Sequence, residues 1–386
     1  MTGSGATDAP VARLAAQPWM DWPATRAVLA ALSVDGGSAR FVGGAVRDGW
    51  LGLPVKDVDL ATPLAPQAVI ARLKQAGLKA VPTGIAHGTV TAVADHKPFE
   101  ITTLRHDVET FGRHARVAFT EDWRADAARR DFTMNALYAD GDGWVYDYFG
   151  GVEDARAGRV RFIGEPKARI DEDALRVLRF FRFHAHYGQG AVDQAGLAAC
   201  AARHLALAGL SWERIRDEML KLLAAPNPAA TWVVMRDAAI LEAVLPEVAD
   251  TDRLSRLIAV ERQYNAGDPL RRLVALMPRR ADMVEAVIKK LRLRNRDIKR
   301  AVAMMGTDMA VTPLMTMPAA RAALFALGRE TFVDRLMLSA GPQDDLAFWL
   351  DLAQQWRPPN FPVAGKDLLA AGWSRGSALG QALKHL

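Results

Sequence analysis

FVGGAVRDGWLGLPVKDVDLAT, residues 41–62, is the stretch whose reading decides the fold. Phe41-Val42 is an apolar run that ends a strand. Gly43 and Gly44 follow it, where the lack of side chains lets the backbone approach a ligand closely. Val46–Leu53 is predicted as a short helix closed by Gly52 and Pro54, and its first N–H groups form a natural seat for phosphate. In Asp57-Val58-Asp59-Leu60, polar and apolar residues alternate with the strand period. Asp57 and Asp59 therefore project together while Val58 and Leu60 face the core. Two adjacent carboxylates repel unless a cation lies between them, and hard oxygen donors suit Mg²⁺ alongside substrate phosphates. A DxD or a glycine pair alone is an ordinary loop or turn. Their conjunction in a strand–helix–strand unit points to metal-assisted phosphoryl or nucleotidyl transfer.

Outward from this unit, Leu64–Ala76 is predicted helical between Pro63 and Gly77. Thr89–Ala94 and Phe99–Leu104 are predicted strands across a turn at Asp95–Pro98, and Trp144–Tyr148 is a further short strand. Residues 1–25 read as a loose lead into a first helix. Beyond residue 165 strand signals nearly vanish, and Ala-, Leu- and Arg-rich amphipathic helices follow, punctuated by prolines. The layout is one α/β head followed by a long helical region. The 386 residues are half hydrophobic and carry a net charge of +5. That leaves room for sizeable cores and suits a polyanionic partner. Cys200 is the single cysteine. It excludes an intramolecular disulfide and a cysteine zinc site, and its Ala-rich surroundings make it a small core residue. No apolar run reaches the length of a membrane span, and the first residues lack the pattern of a secretory signal. A soluble protein of a reducing compartment, cytoplasmic, is expected.

Three further stretches carry chemistry. Glu100, between Phe99 and Ile101, is either a third carboxylate beside the DxD pair, serving a second metal or the attacking hydroxyl, or a strand residue facing solvent. Arg105–Asp126 is predicted as a long polar connection bearing Arg105, His106, Arg113, His114 and Arg116, a lid over phosphates or a mobile surface loop. His106-Asp107 lacks the further ligands that an HD-type metal hydrolase needs. Arg129 and Arg130 precede Asp131, which is expected to cap a helix running to Leu137. The arginines are placed to reach triphosphate oxygens, and Asn135 belongs to the same polar turn.

In residues 171–182, Asp173, Arg176, Arg179 and Arg182 are spaced by three and are predicted to share one helix face. Leu175, Leu178 and Phe181 form the adjacent apolar face. In isolation the polar row reads as an ordinary surface ion pair. Beside a nucleotidyl-transfer site it acquires a sharper meaning. Asp173 only accepts hydrogen bonds and Arg176 only donates. Cytosine and adenine each present an amino donor next to a ring-nitrogen acceptor, whereas guanine and uracil present the opposite order. One carboxylate–guanidinium pair therefore admits C and A. It rejects G and U, because a wrong base leaves polar groups facing like groups.

Together these residues resemble the class II tRNA nucleotidyltransferase and bacterial poly(A) polymerase family. The matching motifs are GGAVRD at 43–48, DVD at 57–59, RRDFTMNAL at 129–137 and EDALRVLRF at 172–180. WERIRDEM at 212–219 is similar to the family's later helix motif. The resemblance covers about residues 38–222 and is weak beyond. It implies an α/β nucleotidyltransferase head at 1–148, a mixed sheet with flanking helices and a lid at 105–126. An all-α neck at 149–205, body at 206–275 and tail at 276–386 would hold the acceptor arm of tRNA. It implies that Asp57 and Asp59 bind metal, with Glu100 beside them as a catalytic candidate. Gly43, Gly44, Arg47, Arg129, Arg130, Asp131 and Asn135 would surround the nucleotide, and Asp173, Arg176, Arg179 and Arg182 would read the base and hold phosphates. The implied activity is Mg²⁺-dependent, template-free addition of C, C and A from CTP and ATP to the tRNA 3′ end, releasing pyrophosphate. A long lid favours CCA over CC alone. Poly(A) synthesis and a non-catalytic RNA-binding protein are the alternatives, and no protein partner or membrane is expected. Arg271, Arg272, Lys289, Lys290, Arg292, Arg294, Arg296 and Lys299 are candidate RNA-phosphate contacts, or else a solvated helix face.

Overall fold

Strand-period alternation carries the head. In the computed structural model, residues 8–111, 114–248, 250–359, 364–374, 376–378 and 380–381 are described, residues 107–111 and 114–117 by their backbone only. The described residues form ten strands, β1 (Ala12–Arg13), β2 (Arg40–Val42), β3 (Asp59–Thr62), β4 (Lys79–Gly84), β5 (Thr89–Ala94), β6 (Lys97–Thr103), β7 (Arg105–Phe111), β8 (His114–Phe119), β9 (Leu137–Ala139) and β10 (Trp144–Asp147). Eight of them form one mixed sheet in the order β1-β10-β9-β2-β3-β6-β5-β4. Only β3 and β6 run parallel, with Asp59 opposite Glu100. On β5 and β6 the alternate residues Val90, Ala92, Phe99 and Ile101 are buried. They pack with Phe41 and Leu60 under α1 (Pro23–Leu32) and α3 (Pro66–Gln75) through Val28, Leu32, Val69 and Leu73. With period two, that packing turns Asp59 and Glu100 to the opposite face.

α2 (Gly44–Trp50) follows β2 directly and begins two residues before the predicted start. Gly43 joins them at φ 68°, a conformation that L side chains resist. β4 was not foreseen: Pro82 argues against a strand, but β4 lies at the sheet edge, where a proline is tolerated.

Two expectations are corrected. Residues 105–126 are no irregular loop. β7 and β8 pair as an antiparallel hairpin, and α4 (Trp123–Ala128) follows, capped by the Asp122 carboxylate on the N–H groups of Arg124 and Ala125. The β-branched and aromatic residues Thr110, Phe111, Val117 and Phe119 flank Gly112, a hairpin signal hidden by the overall polarity. The roles read for Arg113, His114 and Arg116 lie outside the described side chains. Second, Asp131–Leu137 is no α-helix. A single 3₁₀ turn, Thr133–Asn135, leads into β9, because Leu137–Ala139 fills the slot between β10 and β2. Asp131 accepts from the Phe132 N–H and Asn135 Nδ2 instead of capping a helix.

The remainder is helical. α5 (Gly151–Arg156), α6 (Pro166–Glu172), α7 (Leu175–Tyr187), α8 (Gln194–Arg203), α9 (Trp212–Leu223), α10 (Pro228–Asp237) and α11 (Ile240–Val244) come first. α12 (Thr251–Gln263), α13 (Pro269–Ala275), α14 (Ala281–Lys290), α15 (Asn295–Met304), α16 (Met317–Ser339, broken at Gly328) and α17 (Ala347–Gln355) follow. One apolar core runs from Phe132 through Phe180, Trp232 and Leu273 to Met304, and a second lies under α16 around Phe332 and Leu336. None of the described helices is long and apolar enough to cross a membrane.

Arg271 and Arg272 are not available to RNA. Both are buried on Glu261, at 2.9 and 2.6 Å, and Arg271 also reaches Asp334 at 2.9 Å. Lys289, Arg292, Arg294, Arg296 and Lys299 remain exposed, and Lys290 is half-buried. Glu261 holds two buried guanidiniums, so Glu261→Ala leaves Arg272 without its counter-charge and Arg271 with Asp334 alone. We expect a loss of about 3–5 kcal/mol in urea unfolding. A loss below about 1 kcal/mol, the range of a surface pair, would refute this role.

Candidate active site

A cleft of about 870 Å³ opens between the sheet face that carries Asp59 and helices α7 and α9. β2 and α2 supply Val42, Gly43, Gly44 and Arg47; β3 and the residues before it supply Asp59 and Asp57. The segment after α4 adds Arg129, Arg130, Asp131 and Asn135. Asp173, Arg176, Arg179 and Arg182 line the facing wall. Every residue expected at the nucleotide is thus in one cavity. Glu100 is not among the lining residues. It is exposed on β6, yet close enough to Asp59 for its charge to be felt there.

The two cleft carboxylates differ. Asp57 precedes β3 and is exposed. Asp59 opens β3 and is likewise exposed to the cleft. Burial, then the Glu100 and Asp57 carboxylates, push its pKa up to about 6, with Arg130 opposing. A carboxylate destabilised by like charges fits a site completed by a cation. Among the described residues no group of three or more His, Cys, Asp or Glu side chains stands ready to hold a metal. The donor set is a pair of carboxylates, the partial set that substrate phosphates complete around a hard divalent ion.

Buried acids aim the arginines. Asp126 accepts from Arg129 Nε at 2.9 Å, from Arg130 Nη2 at 3.1 Å and from the Tyr138 hydroxyl at 2.7 Å. Burial raises its pKa, but Arg130 and Arg129 outweigh that and hold it at about 2. Arg129 and Arg130 follow α4 rather than precede a helix, and this clamp fixes both at the cleft. Arg47 donates to Asn135 Oδ1 at 2.5 Å and to the Tyr187 hydroxyl at 2.6 Å, stacked over the Tyr187 ring. Asn135 Nδ2 in turn reaches Asp131, whose other oxygen accepts from Arg179 at 2.7 Å. A continuous chain of charge-assisted bonds therefore ties α2 to α7 across the cleft.

The expected helix face is broken at Asp173, which is extended (φ −153°, ψ 106°) between α6 and α7. Its carboxylate accepts from the Leu175 N–H at 3.1 Å and pairs with Arg214 at 2.7 Å. Arg176, Arg179 and Arg182 do lie on α7, above the buried Leu175, Leu178 and Phe181. Arg176 bonds Glu172 and the carbonyls of Arg169 and Arg129; Arg182 bonds Glu218 at 2.5 Å. Arg214 and Lys221, from α9, were missed as lining residues. The signal was present in residues 212–219, where Arg214 and Glu218 stand four apart and face one helix side.

Cations dominate the cavity: Arg47, Arg105, Arg129, Arg130, Arg176, Arg179, Arg182, Arg214 and Lys221 against Asp57, Asp59, Asp131 and Asp173. Such a site suits a polyphosphate brought to a metal-binding carboxylate pair.

Comparison with known proteins agrees. Residues 39–161 match the model described as "Poly A polymerase head domain", and residues 191–251 match "Probable RNA and SrmB- binding site of polymerase A". The CCA tRNA nucleotidyltransferase 1, mitochondrial, of Danio rerio is 33% identical over 364 residues, covering 90% of this chain and 82% of that protein. The Homo sapiens protein of the same name is 34% identical over 357 residues, covering 90% and 81%. The structure of the Bacillus stearothermophilus CCA-adding enzyme in complex with CTP superposes with a TM-score of 0.76 at 28% identity, covering 94% of this chain and 92% of that one. A nucleotidyltransferase head, a helical remainder and likeness to these relatives over 90% of this chain lead to one assignment: the chain belongs to the family of CCA-adding tRNA nucleotidyltransferases.

Proposed function

We infer that this chain adds C, C and A from CTP and ATP to the 3′ end of tRNA, without a nucleic-acid template and with release of pyrophosphate. The single observation that carries the reading is the cleft. It sets the Asp57–Asp59 pair across from Asp173 and Arg176 in one cavity large enough for a nucleoside triphosphate. The relatives named above support the reaction and its substrates.

Enzymes of this family use a divalent metal, which we propose is Mg²⁺ here, held by Asp57 and Asp59. When bound, it supplies a lowered pKa for the tRNA 3′-hydroxyl and charge stabilisation at the α-phosphate. Arg129 and Arg130, pre-aimed by Asp126, are proposed to bind the triphosphate. Because the clamp already exists, little reorganisation is needed as charge moves to the pyrophosphate. Gly43 and Gly44 leave backbone accessible beside it. Arg47, Asp131 and Asn135 hold the two cleft walls in register, and Arg179 and Arg182 extend the cationic wall. Asp173 and Arg176 present an acceptor and a donor to the base, with Arg214 steadying Asp173. Glu100 is proposed to act on Asp59 through its charge. We also propose the division into head 1–148, neck 149–205, body 206–275 and tail 276–386, with the exposed cations of α14 and α15 meeting tRNA. A cytoplasmic setting is proposed from the single buried cysteine.

The test is to incubate the protein with Mg²⁺, CTP, ATP and a tRNA ending at its discriminator base, then sequence the 3′ ends. A discrete CCA end is expected. A stop at CC or a long A tail would overturn the reading in favour of another product of the same chemistry.

A further inference from the structure

A second cavity, of about 260 Å³, lies between α12, the loop after α15 and the C-terminal half of α16. It shares no lining residue with the cleft of the head. Arg253, Arg279 and Arg335 line it, and no acidic side chain does.

Arg253 is the unusual member. It is only 6% exposed. Its Nη1 donates to the Met277 carbonyl at 3.0 Å and its Nη2 meets Met305 Sδ at 3.9 Å. Its Nε is buried with no hydrogen-bond partner, and no carboxylate forms an ion pair with it among the described residues. Burial first, then Arg279, pull its pKa down, and Arg256 adds to this against Asp250. The other buried arginines of this region are treated differently. Arg271 and Arg272 face Glu261 and Asp334, and Arg335 pairs with Asp308 at 2.8 Å. Arg279, at the rim, is exposed and has no ion pair among the described residues. A buried guanidinium without counter-charge is costly unless something anionic completes it. The methionine and valine floor lowers the local dielectric, which strengthens any anion held there.

We propose that this cavity is a binding site for a phosphate-class oxyanion, with Arg253 at its base and Arg279 closing from the rim. The oxyanion comes either from free phosphate or pyrophosphate, or from a backbone phosphate of RNA. The proposal is independent of the activity assigned to the head.

Radiolabelled inorganic phosphate is titrated into the full chain by equilibrium dialysis, at ionic strength held constant with chloride. CTP is kept saturating so that the head cleft is filled. Saturable binding is expected. Arg279→Glu, a surface change that spares the core, weakens it by about ten-fold or more. Arg253→Met abolishes it where that variant folds; where it does not, Arg279→Glu alone decides. Added tRNA that already ends in CCA, with EDTA present so that no pyrophosphate is released, then separates the sources. Displacement of the phosphate identifies an RNA backbone phosphate as occupant, and retention identifies a free anion. Uptake no better than the chloride control, or equal in the wild type and Arg279→Glu, overturns the proposal.

Discussion

Asp59→Ala removes nucleotide incorporation, by about 10³-fold or more in single turnover, while tRNA binding and folding survive. The size of the effect follows from the donor set. The cleft offers two carboxylates to a divalent ion, so removing one takes half of the protein's hold on it. The effect on the fold follows from the electrostatics. Asp59 is raised to about 6 by burial and by the Glu100 and Asp57 carboxylates, with only Arg130 in its favour. Its removal relieves repulsion, so the variant unfolds at the same urea concentration as the wild type or a higher one. This combination of lost chemistry and unchanged or improved stability separates a metal-holding role from a structural one. Near-normal incorporation, or a marked loss of stability, would contradict it.

The carboxylate pair, the glycine pair and the arginine row were legible because each is local. A two-residue period and a three-residue spacing are visible without knowing what pairs with what. What stayed hidden depends on long-range register. Asp126 sits between a hairpin and β9, and nothing in its neighbours says that it will bury against Tyr138 and clamp two arginines. Arg271 and Arg272 show charge in the sequence but not their partner, Glu261, which arrives from the preceding helix. Leu137–Ala139 has helical surroundings in sequence and becomes a strand because β2 and β10 offer it pairing. The break at Asp173 was within reach. Aspartate is a favoured residue just outside a helix, and here its carboxylate takes the Leu175 N–H. The three-residue spacing of charges runs on across that boundary and masks it.

Asp173→Ala is expected to lose base selection far more than triphosphate binding. The kcat/KM ratio of CTP and ATP over UTP and GTP should fall by about 100-fold or more. Part of this is the loss of the acceptor that meets an amino donor on C or A. Part is what the mutation leaves behind. Arg214, paired with Asp173 at 2.7 Å, is freed to donate toward the base. Guanine and uracil present a carbonyl where cytosine and adenine present an amino group, so an unpaired Arg214 favours the wrong bases outright. Triphosphate binding is carried elsewhere, by arginines that Asp126 holds independently, and KM should change little. The double variant Asp173→Ala/Arg214→Ala isolates the second contribution. It should reject all four bases more evenly, with UTP and GTP use falling back relative to the single variant. Unchanged selectivity in Asp173→Ala would remove this residue from base reading and shift that role to Arg176 with the backbone around it.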